Sequence, residues 1–168
     1  MAGSARDIHP SSTPPSRAWE VPPPRRTAAP PAALDLLAQA RQGLTEAAAL
    51  DAPHERYATA HLAALRTAAA VLAARARPGT TGRGRRRIRS AWDVLPEAAP
   101  ELAGWSALFA SGAERRARAE AGIRSAASPG DADDLLRDAG TFLRLVERMP
   151  SLQPGLPRQP LAGYGRAG

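Results

Sequence analysis

The chain has no cysteine. This excludes disulfides, Cys-ligated zinc, iron–sulfur clusters and a thiol nucleophile. It has three histidines, His9, His54 and His61, too few for a multi-histidine centre, and no metal site is expected. Lysine and asparagine are also absent, so all 23 basic residues are arginine, while alanine occurs 39 times. Ala, Arg, Gly and Pro share GC-rich codons, so the composition reports a GC-rich genome as much as selection. Valine and isoleucine are scarce, with three and two copies in residues 32–149, which argues against a sheet. No uncharged apolar run reaches membrane-spanning length, and residues 1–31 lack the apolar centre of a secretory signal. A cytoplasmic protein with no membrane partner is expected. The patterns G-x-x-x-x-G-K-[ST], G-x-G-x-x-G before a helix, H-E-x-x-H and G-x-S-x-G are all missing, and no cofactor is expected.

Proline is plentiful and unevenly placed. Eight of the 17 prolines fall in residues 1–31 and four in residues 150–168. Neither segment has helical or strand periodicity, and neither can bury enough apolar surface to offset its ordering entropy. Both are expected to be disordered tails. Residues 32–149 hold 26 large apolar or aromatic residues, 15 of them leucine, in short runs at helical spacing. The expectation is an all-α fold, a compact bundle of four to five helices.

The first helix is placed at about 32–50, with Leu34, Leu37, Leu44 and Ala48 on one face. The second is placed at about 52–76, capped by Asp51, with Pro53 in its first turn. Its apolar stripe is Tyr57, His61, Ala64, Leu65, Ala68 and Leu72, and Pro78-Gly79 ends it. A short helix follows at 88–99 around Ile88, Trp92 and Leu95, interrupted at Pro96. Pro100 starts another, with Leu102, Trp105, Leu108 and Phe109, broken at Ser111-Gly112 and continued by the charged stretch 113–121. Ser128-Pro129-Gly130-Asp131 reads as a capping box. It opens a last helix to about 149, with Asp133 paired to Arg137 on its polar face.

Charge is concentrated. Arg75, Arg77, Arg83, Arg85, Arg86, Arg87 and Arg89 lie in residues 75–89 without a single acid, and the other 16 arginines balance the 16 acids. The whole net charge of +7 therefore falls in one helix end and loop. One reading is a solvated loop in an Arg-biased chain. The other is an anion-binding loop for nucleic-acid phosphates or another polyanion. Asp131, Asp133 and Asp134 sit in a first helical turn, where acids complement the helix dipole.

Leu-Leu-Ala-Gln-Ala at 36–40, RYATAHLAALRTAAAVLA at 56–73, the stretch from IRSAWDVLPE to AEAGI at 88–123, and DADDLLRDAGTFLRLVERM at 131–149 together resemble HEPN domains. These are the "higher eukaryotes and prokaryotes nucleotide-binding" helical bundles, and the likeness is to an actinobacterial HEPN group. It covers essentially all of 32–149 and points to a group rather than an activity. Many HEPN domains are metal-independent ribonucleases with an Arg, four to six residues, then a His, paired across a homodimer. By that resemblance Arg56 and His61 are the catalytic candidates. His61 would move a proton at the ribose hydroxyl or leaving oxygen, and Arg56 would stabilise phosphoryl charge. The chain departs from the pattern in having Tyr57 where catalytic members carry a polar residue, and in having no histidine in 88–149. Five helical residues also turn the two side chains about 140° apart. The plainer reading makes His61 a core residue beside Tyr57 and Leu65.

Three functions are therefore weighed: a non-catalytic HEPN-like module binding RNA, another polyanion or a protein partner; a dimeric, toxin-like ribonuclease; and a purely structural adaptor. A homodimer is expected from the resemblance, with Trp92, Trp105 and Phe109 offered as its shared surface.

Overall fold

The computed structural model describes residues 28–76 and 89–155. Most of the two expected tails and the Gly-Arg loop, including His9, Arg77, Arg83, Arg85, Arg86 and Arg87, lie outside the described residues. Among the described residues all regular structure is helical: α1 (Pro31–Ala49), α2 (Pro53–Arg75), α3 (Ala91–Ala98), α4 (Ala103–Ser111), α5 (Ala113–Glu120) and α6 (Pro129–Glu147). Short 3-10 turns stand at Pro100–Leu102, Arg124–Ala126 and Pro150–Leu152. No described helix is long and apolar enough to cross a membrane.

The long helix α2 is the axis of the bundle, touching α1, α3, α5 and α6. This explains why its buried residues, among them Tyr57, Ala60, His61, Ala64, Thr67, Ala68 and Val71, cover an arc of about 200° rather than a narrow stripe, and why Glu55 is the one exposed residue of this helix. It can be so enclosed because nine of its 23 residues are alanine. Small residues at a helix contact set a short interaxial distance, so α1 and α2 meet closely. A methyl added at Gly43 of α1 would stand 3.4 Å from the Ala63 side chain of α2.

That contact corrects the expected face of α1. Its buried line is Ala33, Leu37, Ala40, Gly43 and Ala47; Leu34 and Leu44 are half-buried and Ala48 is exposed. Leu34 and Leu44 flank the seam, and Leu37 lies in it among small residues. Asp51 is not the cap of α2 either. The cap position is Ala52, with no side-chain hydrogen bond, and Pro53 opens the helix.

The capping box at Ser128 forms as expected, with Asp131 closing it. A second one, Ser90 with Asp93, starts α3. On α6 the expected Asp133–Arg137 pair is replaced: Arg137 bonds Asp134 at 2.9 Å, and Asp133 pairs with Arg56 of α2. Asp133 sits at the start of α6, within reach of α2, and the longer-range partner takes it.

Packing also extends slightly beyond 32–149. Ala29 and Leu152 are buried, and the Ala29 N–H donates to the Gln153 carbonyl at 3.2 Å. The core is dominated by Trp92, Leu95, Leu102, Phe109, Phe142 and Val146, packed on α2. Trp92 and Phe109 are thus spent inside the protomer, at 6% and 0% exposure, and Trp105 is half-buried against Phe109 and Phe142. Trp92 and Phe109 are therefore not available for the shared surface that the sequence suggested, because the bundle has few other aromatics with which to fill its centre; Trp105 stays partly open.

Candidate functional site

A helix interrupted by proline or by a bend frees backbone carbonyls, and a buried carbonyl left without a donor costs about 1–3 kcal/mol. This chain breaks its helices repeatedly, and polar side chains meet the freed groups. Pro96 lies inside α3 and has no N–H to give the carbonyl four residues back, which is that of Trp92. The hydroxyl of buried Ser106 donates to Trp92 O instead. Between α4 and α5 the chain bends at Ser111-Gly112. The Ser111 hydroxyl donates to Leu108 O at 2.7 Å, and the Gly112 N–H turns to Phe109 O at 3.1 Å.

Phe109 O has a second donor, and it is His61. Its Nε2 stands 2.8 Å from that carbonyl. A carbonyl can only accept, so Nε2 carries the proton and Nδ1 is the bare nitrogen. The ring is 1% exposed. It lies parallel to Tyr57, with Trp92 and Phe109 presenting their edges. Nδ1 is buried without a hydrogen-bond partner. Burial pushes the His61 pKa below its ordinary 6.5, with Arg116 adding to the shift and the Phe109 carbonyl and Glu120 opposing it. The imidazole is therefore neutral at pH 7.

A stability dependence follows. In the folded chain His61 resists protonation that the unfolded chain accepts, so stability should fall as pH drops below about 6.5, by up to about 1.4 kcal/mol per unit. The loss continues down to the lowered folded value, and above 6.5 this residue contributes no slope. Urea titrations from pH 5 to 8 should show the decline in the wild type and its absence in His61→Gln. An equal slope in both would assign it to another group.

Arg56, the other catalytic candidate, is engaged elsewhere. Its Nε and one terminal nitrogen donate to Leu50 O, the carbonyl just past the end of α1, at 3.0 and 2.9 Å. The other terminal nitrogen pairs with Asp133. A cation at a helix C-terminus is favourable, and here it clamps α1, α2 and α6. The partners of Arg56 and His61 thus lie on different elements, and neither side chain is turned towards a shared cleft.

Two of the seven arginines proposed for anion binding are described, and both are tied to acids beyond the run. Arg75 donates to Ala98 O at 2.8 Å and pairs with Glu101, holding that carboxyl below its ordinary pKa. Arg89 pairs with Glu97, and this partnership raises the guanidinium pKa. Among the described residues no cluster of three His, Cys, Asp or Glu could hold a metal ion.

A cleft of about 190 Å³ opens beside the α4–α5 bend, lined by Tyr57, Leu108, Ser111, Gly112, Arg115, Asp131, Asp134, Leu135 and Asp138. Arg115 lies over the Tyr57 ring, 5.6 Å from its centre, and bonds Asp131 at 2.9 Å. The capping contacts of Ser128, with Arg115 adding to them, hold the Asp131 carboxyl below its ordinary pKa. Burial pushes the Tyr57 phenol up despite Arg115. Reading the sequence missed this cleft. Its acids stand at 131, 134 and 138, a helical spacing, but the residues that face them are far away in the chain.

A family model described as SAV_6107-like HEPN matches residues 47–147. No curated protein and no solved structure shows a significant match to the chain.

Proposed function

Because this chain belongs to the SAV_6107-like HEPN family, we propose that it is a cytoplasmic, non-catalytic HEPN module that binds RNA or a similar polyanion through its Arg-rich segment. One observation carries the non-catalytic half: both motif residues serve backbone carbonyls. The Nε2–H of His61 is given to Phe109 O inside the core, and Arg56 is given to Leu50 O and Asp133. A general base must come within about 3 Å of the proton it takes, and a 1% exposed ring cannot meet a polynucleotide without local opening. The binding half rests on charge. With Arg75 and Arg89 neutralised by Glu101 and Glu97, the proposal assigns phosphate contact to Arg77, Arg83, Arg85, Arg86 and Arg87. If self-association accompanies binding, its surface is not the Trp92–Phe109 pair.

The test uses purified protein and single-stranded RNA in EDTA. Binding without cleavage is expected, with log K falling against log salt at a slope of about −2 to −4 for three to five phosphate contacts. Changing Arg83, Arg85, Arg86 and Arg87 together to Gln should flatten that slope. Salt-independent binding, or unchanged binding in the quadruple variant, removes the segment's role. EDTA-resistant cleavage that disappears in folded His61→Gln and Arg56→Ala proteins would instead establish the dimeric ribonuclease.

A further inference from the structure

Helix α4 is unlike the rest of the surface. In a chain that is 23% charged, residues 102–113 contain no charged side chain, yet most of α4 is open to solvent. Ala103, Gly104, Ala107, Leu108, Ala110 and Ser111 are all exposed. At 100° per residue these six fall within one arc of about 160°, while Ser106 and Phe109 point inward and are buried. Leu108, at 42% exposure, stands at the edge of that arc and passes directly into the cleft. Among the described residues nothing packs over Gly104: a methyl built there would meet no atom within 4 Å. The exposed faces of α1 and α6, by contrast, carry Asp35, Arg41 and Glu46, and Asp133, Asp134 and Arg137.

The far wall of the cleft is acidic. Asp131, Asp134 and Asp138 line it from α6, and Arg115 is the only cation among the lining residues. Arg115 already answers Asp131. Asp134 bonds only the exposed Arg137, and Asp138 has no hydrogen-bond or ion-pair partner among the described residues. A ligand that lay along α4 would therefore meet an apolar, small-sided track ending beside three carboxylates, of which Asp138 is unpaired among the described residues and Asp134 is paired only with an exposed arginine.

We propose that the outer face of α4 and the adjoining cleft dock one short helical segment of a partner protein, apolar along the side it presents and carrying Arg or Lys at the edge that reaches Asp134 and Asp138. This goes beyond RNA binding and does not depend on it. Size selects the occupant. A stable dimer needs about 20–30 residues on each side, whereas this face offers six along nine residues of helix, the scale of a helix laid in a groove. Charge selects its edge, since an acidic wall favours a basic partner and repels an acidic one. The alanines and glycine let the incoming backbone approach closely, and Leu108 supplies the apolar anchor.

The experiment is selection from a phage-displayed library of helical 16-residue peptides on the full chain, counter-selected on Leu108→Glu protein. Enrichment of peptides with an apolar face and a flanking Arg or Lys is expected. Synthetic versions should bind Leu108→Glu at least tenfold more weakly. They should bind the Asp134→Asn, Asp138→Asn double variant several-fold more weakly, with less salt dependence than wild type. Leu108 and Asp134 are exposed and Asp138 is half-buried at the cleft, and unaltered melting temperatures would confirm that both variants fold. Failure to enrich any peptide over the counter-selection overturns the proposal, as does enrichment of acidic peptides or indifference to both variants. A wild-type dimer in sedimentation that Leu108→Glu converts to monomer would assign the face to a second copy and overturn the partner-helix assignment.

Discussion

His61→Ala should destabilise the fold by about 3–5 kcal/mol, the range for removing a buried aromatic ring. Two losses combine. The ring fills space between Tyr57, Trp92 and Phe109, and edge-to-face aromatic contacts add to its simple burial. Its Nε2–H also meets the Phe109 carbonyl, which would keep only the Gly112 N–H, itself drawn out of α-helical register. His61→Gln separates the two, since its amide can donate to the carbonyl without replacing the ring, and should recover about 1 kcal/mol. Equilibrium urea unfolding at pH 7.5, where the imidazole is neutral in both states, isolates these effects from its titration. A loss below about 1 kcal/mol for His61→Ala would show that the ring is not a structural member of the α4–α5 bend.

Gly112→Ala should also destabilise, by about 1–3 kcal/mol, and here the sign is the informative quantity. Gly112 has φ −87° and ψ −5°, a conformation open to any residue. On backbone grounds alone, alanine should stabilise by about 0.4–1 kcal/mol through the unfolded chain. The added methyl, however, would stand 2.6 Å from the Tyr57 hydroxyl and 3.4 Å from the His61 ring. Tyr57 is 4% exposed and its rigid ring packs against His61 and Arg115, so its hydroxyl can clear the methyl only if the whole ring shifts towards the cleft. Gly104→Ala is the matched control in the same helix: its methyl meets nothing, and it should stabilise by up to about 1 kcal/mol. Thermal melts of the pair should move in opposite directions. Movement of both to higher temperature would mean that Tyr57 yields easily and that the glycine is not required.

The helices were legible in the sequence because their ends are written locally. Pro53 opens α2 and Ser128 with Asp131 opens α6, and each signal lies within four residues of the feature it controls. The Ser90–Asp93 box is equally local and could have been read. Pro96 suggests an interruption, yet α3 runs on to Ala98, and no local pattern marks Ser106 as the donor that meets the Trp92 carbonyl. What the sequence did not disclose is pairing across the fold. His61 and Phe109 are 48 residues apart, and the acceptor is a main-chain atom that every residue possesses. Arg56 and Asp133 are 77 apart, so a plausible i,i+4 pair within α6 looked sufficient for Asp133. The basic run between 75 and 89 looked uncompensated because its acids follow it in the chain: Glu97 meets Arg89 along α3, and Glu101 reaches Arg75 only once the turn after α3 packs beside α2. On α1, leucines drew attention from the alanines because hydrophobicity was weighed where closeness of approach decides.

The hydrogen bond from Ala29 to Gln153 has a mechanical consequence. It brings the start of α1 and the segment following α6 side by side, so a load applied through the two ends falls first on that hydrogen bond and on the buried side chains of Ala29 and Leu152. With those contacts broken, α1 and α6 would detach turn by turn from opposite ends of the sequence, each rupture involving few bonds. Such peeling resists force poorly compared with shearing many bonds at once. The bundle should therefore yield readily to a pull on its ends, although α2 at its centre touches four other helices.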